Sequence, residues 1–379
     1  MRIFLYLSIA LLLLPSCRKK PTATDIIKVG GNGVYVTHAD QVTDTVDIML
    51  SDMLDYCEVI PLETKEESFI SRAHRIAVSD NYIAIKDSER TPLKLFTREG
   101  KYLWDIGAVG RGPDEYNISL YGVQIDEAQD CLYLLPFANA RQILVFGTDG
   151  IAREHIPLRF QQRKFKAWVN GDTVTVLGMP FKNDSAVVYQ QTIDGELIQY
   201  IPPEDYHLAL EFSSEVISSH NTGAYDFFQA IYSTTPKDTL YHYDVGLNKL
   251  IPRYTLDFET EEWPLYICYD LPGYYYAWIS GRGIILADKK TTETNYVRLI
   301  NDFYGGIIVS MHWDTSNGMF ISSIPAIELK KEIDRCLEED QDEEMIKRLK
   351  ELDSAIDENS NDILFVGKFS GARDDLVTK

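Results

Sequence analysis

Cysteine, histidine and positive charge are all scarce in this sequence, and each shortage removes a class of function. Five cysteines and seven histidines are spread over 379 residues, with no CxxC and no histidine pair at helical i, i+4 spacing. No zinc site or other metal centre is expected from such spacing, and no cofactor is implied. Cys57, Cys131 and Cys268 sit in strand-like contexts where a cysteine serves as a small buried apolar residue. With Cys336 they are read as free thiols, the alternative being two disulfides in any of three connectivities. Lysine and arginine number 37 against 58 acidic residues, a net charge of −21. Such a surface repels phosphate backbones, so no nucleic-acid partner is expected. Also missing are HExxH, GxSxG, P-loop, GxGxxG and EF-hand patterns.

Long hydrophobic runs are absent too. The longest, Ile3–Leu14, follows Arg2 and is too short to span a bilayer as a helix, but it suits the core of a secretory signal. It stops at Pro15-Ser16-Cys17, and Leu14, Ser16 and Cys17 resemble a bacterial lipobox, in which the cysteine becomes the lipidated first residue. Residues 1–16 are therefore expected to be a lipoprotein signal peptide and Cys17 the lipidation site; an ordinary signal peptide or a buried first helix are the alternatives. Removing 1–16 takes away only Arg2, leaving 36 basic and 58 acidic side chains and a net charge of −22. Arg18, Lys19 and Lys20 then lie near an anionic headgroup surface, or form part of a plain solvated linker. Residues 17–46 are read as tether and N-terminal extension.

What is present is a repeat. Asn81–Gly107 reads as strand, turn, strand, Gly-marked turn and strand, and fifty residues later Ile83 is answered by Tyr133, Phe96 by Phe146 and Gly100 by Gly150. A period of that length built from short strands predicts a propeller blade. Blades are expected from about Phe69, over Val123–Pro157, over Lys166–Pro202, less regularly over Ala224–Leu256 after a loop at 206–222, and over Leu265–Leu299. A sixth opens with Ile307–Trp313 and Gly318–Ile324. It is interrupted by a helical insertion at about 326–357, whose apolar residues recur at three-to-four spacing and whose acidic stretch Glu338–Glu344 divides it into two helices. Two strands remain without a blade, Tyr56–Leu62 and Asp362–Phe369. Together they complete the sixth and close the ring. The expected fold is all-β: a six-bladed β-propeller of four-stranded antiparallel blades over 47–379, closed by N- and C-terminal strands.

Several of these segments resemble a known family. Val59-Ile-Pro-Leu-Glu-Thr64, the Leu95-Phe96…Glu99-Gly100-Lys101 turn, Gly110-Arg-Gly-Pro-Asp-Glu-Tyr116, and the helical insertion followed by Asp362-Ile-Leu-Phe-Val-Gly-Lys368 are similar to the six-bladed β-propeller lipoproteins of gut-type Gram-negative bacteria, relatives of NHL-repeat propellers. The resemblance implies a scaffold and an address, an outer-membrane lipoprotein of the cell envelope on its periplasmic or surface face, and says little about chemistry.

Three stretches are candidate binding residues. In Gly107–Tyr116, Arg111 would offer a bidentate donor to a carboxylate or phosphate, unless the stretch is only an inter-blade joint. In the aromatic-dense Trp263–Trp278, Tyr274, Tyr276 and Trp278 would stack on sugars or peptides, unless strand alternation buries them. His312, Trp313 and Asp314, near the end of the strand expected to be an inner one of the sixth blade, would face a channel mouth in an acid–base or binding role, unless the histidine is simply satisfied by hydrogen bonds. No catalytic residue is assigned. Two functions compete: a lipid-anchored module binding a glycan, peptide or protein partner, and a propeller hydrolase or lyase acting on a saccharide or lactone in the central channel. A ring can assemble a site from one residue per blade, which linear motifs would not reveal.

Overall fold

A computed structural model describes residues 23–87, 90–112, 114–116, 119–204, 206, 213–230, 238–260, 263–310 and 313–372. Cys17 and His312 lie outside the described residues. Six antiparallel sheets follow one another around a ring. Blade one is Ala73–Val78, Tyr82–Asp87, Leu93–Thr97 and Tyr102–Ile106; blade two is Leu120–Asp126, Cys131–Pro136, Ala140–Gly147 and Ile156–Gln162. Phe165–Asn170, Thr173–Gly178, Val188–Thr192 and Leu197–Ile201 make blade three. Blade four consists of Glu215–Ile217, Tyr225–Ala230, Thr239–Asp244 and Lys249–Asp257, and blade five of Tyr266–Asp270, Tyr274–Ile279, Gly283–Asp288 and Thr294–Asn301. Strands alternate along their length, but the middle two of most blades are largely buried on both faces because a neighbouring blade covers each.

Blade six confirms the expected closure. Trp313–Ser316, Met319–Ile324 and Ile363–Phe369 are joined on the outside by Leu54–Pro61, which pairs antiparallel with the C-terminal strand from Ile363↔Pro61 to Phe369↔Leu54. The two ends of the chain thus protect each other's edges. Buried Asn361 ties the joint to blade one: its Oδ1 accepts from Ile70 N at 2.9 Å and its Nδ2 donates to the carbonyls of Glu63 and Ser68.

The repeated glycine has a physical reason. Gly100 has φ +85°, and a Cβ there would overlap the carbonyl oxygen of Pro61 on the outer strand of the preceding blade. Gly150 and Gly195 stand in the same way, against Asp105 of blade one and Pro157 of blade two. Each marks the joint where a turn docks on its neighbour, and only glycine combines that backbone with that approach. In blade four Asn248 takes the left-handed conformation instead (φ 48°) and its Nδ2 reaches Tyr200 O on blade three at 3.0 Å.

Three expectations need correction. Glu215–Ile217, inside the stretch expected as a loop, is the innermost strand of blade four. The strand expected over Ile307–Trp313 divides: Gly305 and Gly306, at φ 65° and 86°, turn the chain back so that Ile307–Ile308 pairs with blade five, and blade six starts at Trp313. The N-terminal extension is not a tether over its whole length. Thr24–Val29 and Asn32–His38 form a hairpin whose second strand runs parallel to Lys249–Asp257, and Thr45–Met49, straddling the boundary expected at 47, runs parallel to Thr294–Asn301. Side chains rivet it in place. Arg298 donates two hydrogen bonds to Asp47 at 2.7 and 2.8 Å, and the Tyr35 hydroxyl donates to Lys289 O at 2.6 Å.

The insertion forms two helices, α1 (Ala326–Glu338) and α2 (Glu343–Ala355). Asp342 caps α2, accepting from Met345 N at 2.8 Å. Leu329, Ile333, Leu349 and Leu352 are buried against the turn that follows blade five, so the amphipathic stripe packs on its own domain. Cys57, Cys131, Cys268 and Cys336 are free thiols.

Candidate functional site

The six innermost strands all begin at one mouth of the central channel and end at the other, so residues one to three positions into each strand form a ring. Four of those positions carry charge: Arg75 of blade one, Lys166 of blade three, Glu215 of blade four and Asp314 of blade six. With Ile76, Tyr121 and Tyr269 they line a throat of about 170 Å³.

Only one of the four is matched at close range. Glu215 accepts from Lys164 Nζ at 2.5 Å and from the Tyr121 hydroxyl. Arg75 donates one Nη to the His74 carbonyl at 3.1 Å, and its buried Nε has no acceptor. Lys166 has the Tyr121 carbonyl at 3.3 Å and the Tyr121 ring at 5.2 Å. Burial, then the Arg75 charge, push its ammonium down to about 8, against the attraction of Asp314, Glu215 and Asp226. Asp314 is open to solvent yet walled by the ring. That desolvation raises its carboxyl above the ordinary value, opposed by Arg75 and Lys166.

Above the throat, on the side where the inner strands begin, lies a second cavity of about 350 Å³ between blades five, six and one. It shares Ile76, Tyr269 and Asp314 with the throat, so the two adjoin. Tyr269, Tyr276, Trp278 and Trp313 supply its aromatic wall. Tyr276 packs edge-on to Tyr269 at 5.4 Å and to Trp313 at 5.1 Å, and both Tyr276 and Trp313 are buried. Trp278 stands across the ladder from Ile267 and is half-buried, leaving part of its indole to the cavity.

The opposite mouth is strapped. The first turn of blade four, Ser218–Gly223, passes the short turn of blade five and reaches blade six: Asn317 N donates to Ser219 O at 2.9 Å, and buried Asn221 accepts from Thr315 Oγ1 at 2.8 Å and from Gly318 N at 3.0 Å. Asp226 holds the strap from below, accepting from Ser219 N at 2.9 Å and His220 N at 2.7 Å. The His220 ring is sandwiched between Trp168 at 4.8 Å and Tyr225 at 4.9 Å.

Of the residues expected from sequence, Tyr276, Trp278, Trp313 and Asp314 are brought together in the upper cavity. Tyr274 lies on the same strand but is not among its lining residues, and Arg111 is exposed on the inter-blade loop away from both cavities. That loop is a joint: Tyr116 is buried, its hydroxyl donating to Ile106 O at 2.8 Å, and Gly112 N donates to Glu115 Oε2 at 2.6 Å. Arg75, Lys166 and Glu215 went unnoticed in the sequence, whereas Tyr269 belongs to the aromatic-dense stretch already singled out. The signal the three share is position, within the first three residues of a blade's first strand, and it is visible only once blade register is known. No cluster of potential metal ligands occurs among the described residues.

The comparisons with known proteins bear on the fold. A Bacteroides fragilis protein predicted to be exported superimposes with a TM-score of 0.58 at 17% identity, covering 88% of this chain and 98% of that one. A Bacteroides vulgatus member of the DUF4221 family gives 0.43 at 12% identity, over 84% and 97% of the two chains. No curated protein matches the sequence. A family described as a domain of unknown function, DUF4934, matches residues 34–269, from the second strand of the N-terminal hairpin to the inner strand of blade five. Matched over more than half its length, and folded as a ring of six blades, the chain belongs to the DUF4934 family.

Proposed function

We propose that this protein is an extracytoplasmic binding module, an NHL-like propeller anchored to the outer membrane through a lipid on Cys17, that takes a glycan at the unstrapped mouth of its channel. The observation that carries the reading is the convergence of Tyr269, Tyr276, Trp278, Trp313 and Asp314 on one cavity of about 350 Å³. Aromatic faces stack on the apolar faces of sugar rings, and a carboxylate accepts from hydroxyls. The signal-like Ile3–Leu14 run before Cys17 supports export, as does the similarity to a protein predicted to be exported.

The hydrolase or lyase alternative is less well supported. Acid–base cleavage of a glycosidic bond calls on two carboxylates with separate tasks. Here Glu215 is engaged by Lys164 and Tyr121, which leaves Asp314 alone.

A glycan and peptide array probed with residues 17–379 tests the binding reading. Trp278→Ala is expected to weaken the leading glycan at least tenfold while the protein melts as the parent does. Undiminished binding would place the ligand elsewhere. Fractionation tests the address: Cys17→Ala should move the protein out of the membrane fraction, and retention there would refute lipid anchoring.

A further inference from the structure

We infer that the glycan is acidic: a carboxylate on the sugar sits in the throat against Arg75 and Lys166 while the ring lies on Trp278 above. This rests on the binding reading just given and narrows its substrate class to uronate-type saccharides.

Three observations carry it. First, two cations, Arg75 and Lys166, face one throat inside a strongly acidic protein. Of the two carboxylates that line it with them, Glu215 is already engaged by Lys164, and only Asp314 is without a close cation. Second, these cations are under-used. The buried Nε of Arg75 has no acceptor, and Lys166 has one carbonyl at 3.3 Å. A guanidinium presents paired N–H groups that match the two oxygens of a carboxylate, and a buried donor left unmatched is costly unless something completes it. Third, the dimensions divide the ligand. About 170 Å³ in the throat has room for a carboxylate and a few waters, whereas the sugar ring belongs in the roughly 350 Å³ above it. Asp314 lines both cavities and can accept from sugar hydroxyls at the junction. The strap ties blade four to blade six at the far mouth, and the aromatic cavity adjoins the throat on the other side, the side from which the acidic group is taken to enter.

The test uses calorimetric titration of residues 17–379 with a galacturonic acid trisaccharide and with its fully methyl-esterified form. A panel of other uronate-containing oligosaccharides, neutral oligosaccharides and acidic peptides accompanies them. At least one uronate is expected to bind tenfold or more tightly than its neutral counterpart. Arg75→Gln and Lys166→Gln are each expected to remove that preference, and a thermal melt matching the parent's shows that the pocket remains folded. Equal affinity for acid and ester, both lost in Trp278→Ala, would overturn the acidic inference and leave the binding reading standing. Acidic peptides binding in preference to every glycan, or no glycan binding at all, would overturn both.

Discussion

Lys166 shows what a single residue contributes and costs. Burial and Arg75 depress its ammonium to about 8, well below a free lysine near 10.5. The groups facing it are Arg75 across the throat, Glu215 with its partner Lys164, Asp314, Asp226 and Tyr121. Below pH 8 it is charged in the folded protein, so affinity for an acidic sugar is expected to fall as pH rises through about 8, while the methyl ester's affinity stays level. Titrations at pH 6.5 and 9 decide this, and a flat profile would argue against Lys166 as the anion's partner. The sign for stability is opposite. Between about pH 8 and 10.5 the unfolded chain binds the extra proton, so stability attributable to this group rises with pH there. At pH 7 the charged lysine is a burden on the order of 1 kcal/mol, after allowance for its partial exposure.

At the scale of elements, ring closure is the decisive contact. Among the described residues Leu54–Pro61 pairs only with Ile363–Phe369, and those two are separated by nearly the whole chain. Deleting residues 361–379 removes the third strand of blade six and the Asn361 bonds to Glu63, Ser68 and Ile70. The expected result is loss of the cooperative thermal transition. A cooperative melt near the parent temperature would show that the ring holds without its terminal pairing. Elements also explain what the sequence could disclose. Blades one to three announced themselves through Gly100, Gly150 and Gly195, because each glycine is forced by contact with the preceding blade. Blade four was irregular because Asn248 replaces that glycine and its inner strand is only Glu215–Ile217. The parallel strands at 32–38 and 45–49 were invisible for another reason: their partners lie more than two hundred residues away, and no local turn signals such pairing.

For the whole molecule the same logic separates the two halves of the candidate site. Tyr276, Trp278, Trp313 and Asp314 were legible because aromatic density near blades five and six is a local property. Arg75, Lys166, Glu215 and Asp314 are scattered along the chain, and only the ring's register sets them face to face. The net charge of −21 gave no hint of two cations facing one throat, since a sum over the surface says nothing of where the few positive groups converge. Arg111, by contrast, looked promising in a loop rich in glycine that proved to be an inter-blade joint.

The riveted N-terminal extension has a consequence for how the protein stands in its surroundings. The first strand begins at Thr24, bonded through its hydroxyl to Thr37 and to Thr294 of blade five. With the lipid on Cys17, as proposed, only seven residue steps separate the bilayer from the rim of the ring, a reach of at most about 25 Å. A leash of thirty residues would let the ring drift and tumble. This one moors it by the edge of blades four and five, within a molecular diameter of the headgroups. Long polymers would then be gripped beside the membrane, at a nearly constant height, where a neighbouring protein in the same leaflet could reach them.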